Sequence, residues 1–319
     1  MRLKTYGTRG STPVSRAETR CYGGNTTCIR IMSNCLPRDS ALVIDAGTGL
    51  VPASLDLFNE GVQHLVLLMT HYHHDHTQGL PLARHTFEKS VPIDMYGPHE
   101  HGIGPMEMLR TLMSAPFFPV DFSRVASHFN CHDLEAIGRH LLMVHPQRGA
   151  RLLRVDEYEQ ILTQTARIPS AEQVLQDESL VVHMHKTVHP EYTVSYRFEE
   201  RTSGKVAVVL TDHENTVNLP KDLRMHIDGA NLLIQDAQYT RAQYQTTTSG
   251  FGHATGEYAA RVMKECNVGR LGLTHHDPMS DDSIVNSIVD EARSWLIANG
   301  APELADHVFA CADYQEIEV

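Results

Sequence analysis

The string His71-Tyr72-His73-His74-Asp75-His76 constrains this chain more than any other part of it. It follows the apolar run Val66-Leu67-Leu68-Met69-Thr70, whose length and composition read as a buried strand. The H-x-H-x-D-H pattern therefore stands where a strand gives way to a loop or helix. His71 and His73 are two apart, so an extended backbone points them to one side. Asp75 and His76 face the same cavity from the turn that follows, and His74 points away. Imidazole nitrogens and carboxylate oxygens are the ligands that zinc, manganese and iron accept in hydrolytic sites. Four such ligands in six residues are enough to begin two adjacent metal positions. Chance explains such a string poorly, even in a chain with 21 histidines.

At 319 residues the chain is long enough for one large domain or two smaller ones. Its composition, 41% hydrophobic and 21% charged, is that of an ordinary globular protein. No stretch approaches the roughly 18 apolar residues of a membrane span, so no membrane partner is expected. The opening MRLKTYGTRGS has no apolar signal core, and a cytoplasmic location is the expectation. The six cysteines form no C-x-x-C pair and read as free thiols, with a zinc clip of Cys131 and His132 as the alternative. The formal charge of −12 argues against a basic surface that grips long nucleic acid. It leaves room for a small anionic substrate, because two divalent ions make a site locally positive.

Strands are expected at 27–32, 41–45, 62–70, 91–96, 180–186, 193–199, 205–211, 231–236, 269–274 and 307–311. Helices are expected at about 49–60, 105–115, 151–165, 254–266 and 281–298, the last capped by Ser280. The alternation indicates α/β architecture. Residues 98–180 give few strand signals and no catalytic motif, and read as an elaboration over the core, a lid or a dimer surface. With no linker and no repeat of solenoid length, a single domain over 1–319 is the simplest organisation.

Polar residues appear where later apolar runs stop. His189 follows the strand 180–186, Asp212 follows Val206–Thr211, and His275 follows Leu271–Thr274. The ends of strands are where α/β sheets place their sites. With these pieces in view, the chain resembles the metallo-β-lactamase-fold metallohydrolases. The matching segments are THYHHDH at 70–76, His189-Pro190 followed by SYRFE at 195–199, LTD at 210–212 and LTHHDP at 273–278. YGTRGSTPV at 6–14, YGGNT at 22–26 and IDAGTG at 44–49 match as well, so the resemblance covers most of the chain outside about 120–180. It implies the α/β metallo-β-lactamase αββα sandwich, two mixed sheets flanked by helices, with a helical insertion at about 98–180. Asp212 stands where many β-lactamases of the fold carry cysteine, and His73 where flavodiiron proteins carry glutamate. Gly252-His253-Ala254-Thr255 resembles the H-S-T motif of the ribonuclease Z and phosphodiesterase branch, with Ala254 replacing serine. Gln235-Asp236-Ala237 resembles the segment that precedes that motif.

The resemblance implies that His71, His73 and His189 hold one divalent ion, that Asp75, His76 and His275 hold a second, and that Asp212 bridges them. Zinc is the expected metal, with manganese or iron as alternatives. Two carboxylates leave the ion pair about two positive charges to meet a phosphate. A water bridging the ions would become a hydroxide near neutral pH, because a bound metal lowers its pKa from about 15.7 toward 7. His253 would protonate the leaving alkoxide or hold a phosphoryl oxygen, and Asp75 would help orient the nucleophile. Asp45 would accept a ring N–H from a ligand histidine. The expected activity is that of a binuclear phosphodiesterase acting on a small or nucleotide phosphodiester. A lactone or thioester hydrolase of the same fold, or a non-catalytic metal-stabilised ligand sensor, are the alternatives. No extended nucleic-acid surface is expected, since the chain shows no Gly/Pro-rich basic arm to hold tRNA; a homodimer is a candidate assembly.

Overall fold

Runs such as Ala41-Leu42-Val43-Ile44 and Val206-Ala207-Val208-Val209-Leu210 lack the polar alternation of a half-exposed strand, so both of their faces must be covered. The computed structural model, which describes residues 1–165 and 177–319, does this with two sheets packed face to face and helices outside each. The first sheet contains β1 (Arg2–Gly7), β2 (Cys28–Met32), β3 (Ser40–Ile44), β4 (His64–Leu68), β5 (Ile93–Pro98) and β6 (Phe129–Leu134). The second contains β7 (His140–His145), β8 (Gly149–Arg154), β9 (Leu180–Lys186), β10 (Val194–Glu200), β11 (Lys205–Leu210), β12 (Leu232–Asp236), β13 (Arg270–Thr274) and β14 (Val308–Ala310). A last strand, β15 (Glu316–Glu318), returns to pair with β1. The spatial orders are β15-β1-β2-β3-β4-β5-β6 and β14-β13-β12-β11-β10-β9-β7-β8. The run β3 to β6 is parallel, as is β11 to β14, and the other pairings are antiparallel.

Successive side chains divide between the layers as the two-residue period requires. Leu42, Ile44, Val66 and Leu68 enter the core between the sheets, where they join Tyr196, Phe198, Val209 and Ile234. Ala41, Val43, Leu65 and Leu67 face outward onto Leu50, Ala53 and Leu57 of the helix Leu50–Asn59 and Met108 and Leu109 of the helix Pro105–Leu112. On the second sheet Val208, Leu210, Leu233 and Leu271 pack against the helices Lys221–Ile227, Gly256–Glu265 and Asp282–Ala298. Both faces of the central strands are thus dry, and each large side chain buried there contributes about 1.5–3 kcal/mol. This is the two-sheet αββα arrangement that the resemblance implied. Among the described residues no helix is long and apolar enough to cross a membrane.

Two local expectations need correction. The segment 98–180 carries more strand than its sequence signals: β6 extends the first sheet, and β7 and β8 extend the second. Residues 151–154 belong to β8, so the helix expected over 151–165 begins at Val155. Residues 166–176 of that segment lie outside the described ones. The helix Asp282–Ala298 is capped by Asp281, not Ser280: Asp281 Oδ1 accepts the Ile284 N–H at 2.9 Å. The Ser280 hydroxyl, fully buried, has no hydrogen-bond partner. Asp281→Ala should therefore lower the unfolding free energy by about 1 kcal/mol. Ser280→Ala should change it by less than about 0.5 kcal/mol. Urea denaturation of both variants checks the assignment.

Candidate metal centre

The carboxyl ends of β3, β4, β11, β12 and β13 open on one edge of the sandwich, and the end of β9, antiparallel to β10, joins them. Three strand exits use the left-handed backbone region: Asp45 at φ 59°, Asp212 at φ 51° and His275 at φ 63°. Asp, Asn and His enter that region more readily than other residues, at a cost of about 1–3 kcal/mol each. The turn stops each strand abruptly and swings its polar side chain into the shared cavity. Asp75 and His76 come from the short helix His74–Thr77, which starts as soon as the His71–His73 stretch ends.

The candidate residues lie together in two adjacent groups. His71, His73, His189 and Asp212 place one ligand atom each within 4.8 Å of one another, and so do Asp75, His76 and His275. Asp212 lies between the groups. Its Oδ2 is 3.5 Å from His71 Nε2 and 4.0 Å from His189 Nε2. Its Oδ1 is 3.3 Å from His76 Nε2 and 3.4 Å from His275 Nε2. Asp75 Oδ2 approaches His275 Nε2 at 3.1 Å and His76 Nε2 at 3.4 Å. His73 sits at the solvent rim, and His74 is exposed and outside both groups.

The second nitrogen of each buried imidazole is already committed. His76 Nδ1 donates to Asp45 Oδ2 at 2.7 Å. His71 Nδ1 donates to Thr70 Oγ1 at 3.1 Å, and that hydroxyl donates to Asp45 Oδ2 at 2.8 Å. His189 Nδ1 donates to the Gly252 carbonyl at 2.9 Å, and His275 Nδ1 to Gln238 Oε1 at 3.2 Å. These bonds fix the tautomers and turn each Nε2 lone pair inward. There His71 Nε2, His189 Nε2 and Asp212 Oδ1 are buried without a hydrogen-bond partner, and His76 Nε2 faces His275 Nε2 at 3.4 Å. Converging lone pairs in a dry pocket repel unless a cation lies between them. The donor set, imidazole nitrogens with carboxylate oxygens, suits zinc, manganese or iron.

The electrostatics agree. Burial alone would raise the Asp212 carboxyl, yet His275, His76 and His71 hold it well below the usual carboxylate range. Burial likewise opposes Asp75, and His76 and His275 hold it well below that range. Burial, with His76 beside it, pushes His71 well below an ordinary imidazole. Burial lowers the His76 pKa, but Asp212, Asp75 and Asp45 raise it well above the ordinary imidazole value, and that negative field is equally open to a metal ion.

His253 stands beside this cluster, its ring stacked on His275 with centroids 4.8 Å apart. Its Nδ1 lies 2.8 Å from Asp236 Oδ2. Burial opposes its charge, but Asp236 prevails and raises its pKa to about 9. Asp236 is itself fixed by the backbone N–H groups of Gln238 and Ala254 at 3.1 and 3.2 Å. A cleft of about 590 Å³ opens over the cluster, lined by Ser11, Tyr72, His73, His74, Asp75, Asp212, Tyr239, Phe251 and His253. A larger groove of about 860 Å³ lies among Arg2, Lys4 and Arg30, away from these residues. Those three cations are paired with Glu316, Asp56 and Glu60.

Several contributors were not among the sequence candidates. Glu191 Oε2 lies 2.9 Å from His73 Nε2, at the mouth of the first group. Gln238 orients His275, and the Ser11 N–H binds Asp75 Oδ2 at 2.7 Å. The proximity of Glu191 to the His189-Pro190 step was the available hint. His213 and His276, next to candidate ligands in sequence, turn instead to Tyr258 Oη and the Cys311 carbonyl. All six cysteines are free, and among the described residues Cys131 and His132 join no metal-binding group.

No family model matches the chain. A ribonuclease Z of Lactococcus lactis is 25% identical over 250 residues, covering 72% of this chain and 76% of that protein. The metallo-β-lactamase-fold protein YhfI of Bacillus subtilis superposes with a TM-score of 0.61 at 17% identity, over 99% of each chain. The short form of human tRNase Z superposes with a TM-score of 0.60 at 16% identity, over 100% of this chain and 99% of that one. The similarity to a protein named ribonuclease Z overturns the expected restriction to a small substrate without an extended nucleic-acid surface. The physical reason is that a net charge of −12 averages over the whole surface. A phosphate responds to the local field, which divalent ions held at a cleft would dominate.

Gly252 tests how tightly the site is built. Its φ is +93°, and a Cβ there would collide with His189 Nδ1. Gly252→Ala should lower the unfolding free energy by about 1–3 kcal/mol, measured by urea denaturation.

Proposed function

We propose that this chain, a metallo-β-lactamase-fold protein of the ribonuclease Z and phosphodiesterase-like branch, is a metal-dependent hydrolase that cleaves phosphodiester bonds in RNA. The observation that carries the reading is the Asp212 carboxylate facing a nitrogen cluster with each oxygen, with His253 alongside. His71, His73 and His189 would hold one divalent ion, and Asp75, His76 and His275 a second, with Asp212 shared. Ions held there would supply Lewis-acid polarisation of a phosphoryl oxygen and acidify a bound water.

The chain's own groups account for the rest. Asp45 and Thr70 hold His76 and His71 in one orientation, so the ligands need not reorganise during turnover. Asp75 is pinned by the Ser11 N–H, which keeps its carboxylate at the cleft floor. Asp236 binds His253 through Nδ1, so Nε2 is the nitrogen left for the substrate. With a proton held there, His253 can donate to the leaving alkoxide or bind a phosphoryl oxygen. A histidine held as an acid beside a shared carboxylate serves an alkoxide leaving group, which favours an oxygen ester over a thioester, and the similarity to a ribonuclease Z supports a phosphodiester over a lactone. RNA is favoured because the curated relative named for it matches over 76% of its length.

Metal-loaded protein should contain two divalent ions by mass spectrometry, and Asp212→Asn should lower that content. His253→Ala should keep the metal content and lose about 100-fold or more in turnover of bis-p-nitrophenyl phosphate and of a single-stranded RNA. Hydrolysis confined to lactones or thioesters would contradict the reading.

A further inference from the structure

We infer that Phe251, with Tyr239 and Tyr72, forms a subsite beside the metal centre that stacks the base of the nucleotide next to the scissile phosphate. The inference rests on the phosphodiesterase reading and names how that site recognises its substrate.

Three of the nine residues that line the cleft are aromatic, and none is Lys or Arg. Beyond His253, which faces the phosphate, no lysine or arginine supplies affinity at this opening. Whatever holds a substrate there beyond the phosphate must act through ring faces and hydrogen bonds. Single-stranded nucleic acid is held in that way by other proteins, because every base has a π-face that an aromatic ring can cover.

Phe251 is 61% exposed, yet its backbone is fixed on both sides. Its N–H donates to the Thr248 carbonyl at 3.2 Å. Gly250 and Gly252 bracket it at φ 86° and 93°. The Gly252 N–H donates to Glu214 Oε2 at 2.8 Å, and Glu214 also accepts from the Tyr244 hydroxyl. The Gly252 carbonyl accepts from His189. The segment that displays the phenyl ring is thus tied to a candidate metal ligand on one side and leads into His253 on the other. A solitary exposed phenylalanine is ordinary on a protein surface. This one is held at the mouth of the cleft that contains Asp212 and His253. Tyr239, which lines the same cleft, is buried edge-on to His253 with centroids 6.1 Å apart. Tyr72 is anchored at the Pro98 carbonyl by its hydroxyl at 2.7 Å. Ring faces and metal ligands share one opening, which suits a ligand with a phosphate at one end and a flat heterocycle at the other.

The test compares uridine 5′-(p-nitrophenyl phosphate) with methyl p-nitrophenyl phosphate, diesters that share a leaving group and differ in carrying a nucleoside or a methyl group. The ratio of kcat/KM for the two should fall about tenfold in Phe251→Ala and in Phe251→Leu, largely through KM for the nucleoside diester, and should return in Phe251→Trp. Stacking of one base is worth roughly that factor or more. A ratio unchanged in Phe251→Ala, or retained by Phe251→Leu, overturns the subsite. Calorimetric titration of the metal-loaded protein with uridine 5′-monophosphate and with inorganic phosphate reads the same subsite without turnover. Phe251→Ala should weaken the nucleotide about tenfold more than phosphate, and equal weakening overturns the proposal. If wild-type protein cleaves neither diester, the phosphodiesterase reading fails, and the titration still decides whether a base is bound.

Discussion

The Asp212 carboxylate is the constraint on which the rest of this structure depends. It leaves β11 in the left-handed backbone region, is 1% exposed, and faces histidines from both sheets. A buried carboxylate surrounded by imidazole lone pairs is an expensive arrangement unless positive charge is added to it. The fold commits to that arrangement with three strained strand exits, at Asp45, Asp212 and His275. It also arranges hydrogen bonds that turn the histidine lone pairs inward. Strain of this kind persists only when the surrounding packing over-determines it. Here the core between the sheets supplies that packing, with fully buried Tyr196 and Phe198 beneath the site edge. Tyr196 also donates to the Met69 carbonyl at 2.6 Å, which fixes the end of the strand that delivers His71.

The two sheets divide the work. The first delivers Asp45, His71, His73, Asp75 and His76; the second delivers His189, Asp212, Asp236, His253 and His275. The chain ends close the arrangement. Gly10 and Thr8 pair with the backbone of His276, and Arg9 is buried with its guanidinium on the carbonyls of Gly23, Asp277 and Ser280. That arginine clamps the loop that follows His275 to the opening segment of the first sheet. A centre assembled from both sheets is sensitive to their relative packing, which gives the stability of the sandwich a direct bearing on the chemistry.

Much of this was legible in the sequence for one reason: strands with both faces buried appear as unbroken apolar runs, and polar residues that end such runs stand out. His71, Asp212 and His275 could be found that way, and the central strands of both sheets with them. The strands β6, β7 and β8 were not legible because they lie toward the sheet edges and mix His, Asp and Arg with their apolar residues. Ser280 and Asp281 are both acceptable caps, and only the backbone geometry decides between them. Glu191, Gln238 and the Ser11 N–H gain their roles from loops that meet through tertiary packing, which local sequence does not encode. The expectation of a small substrate and no extended nucleic-acid surface leaned on net charge, which reports the whole surface and not the field at one cleft.

Anomalous diffraction from crystals of the metal-loaded protein tests the central claim most directly. Two peaks within about 4 Å of each other, one on each side of the Asp212 carboxylate, are the predicted result. One peak, or ions bound elsewhere with Asp212 turned away from His71 and His275, would contradict it.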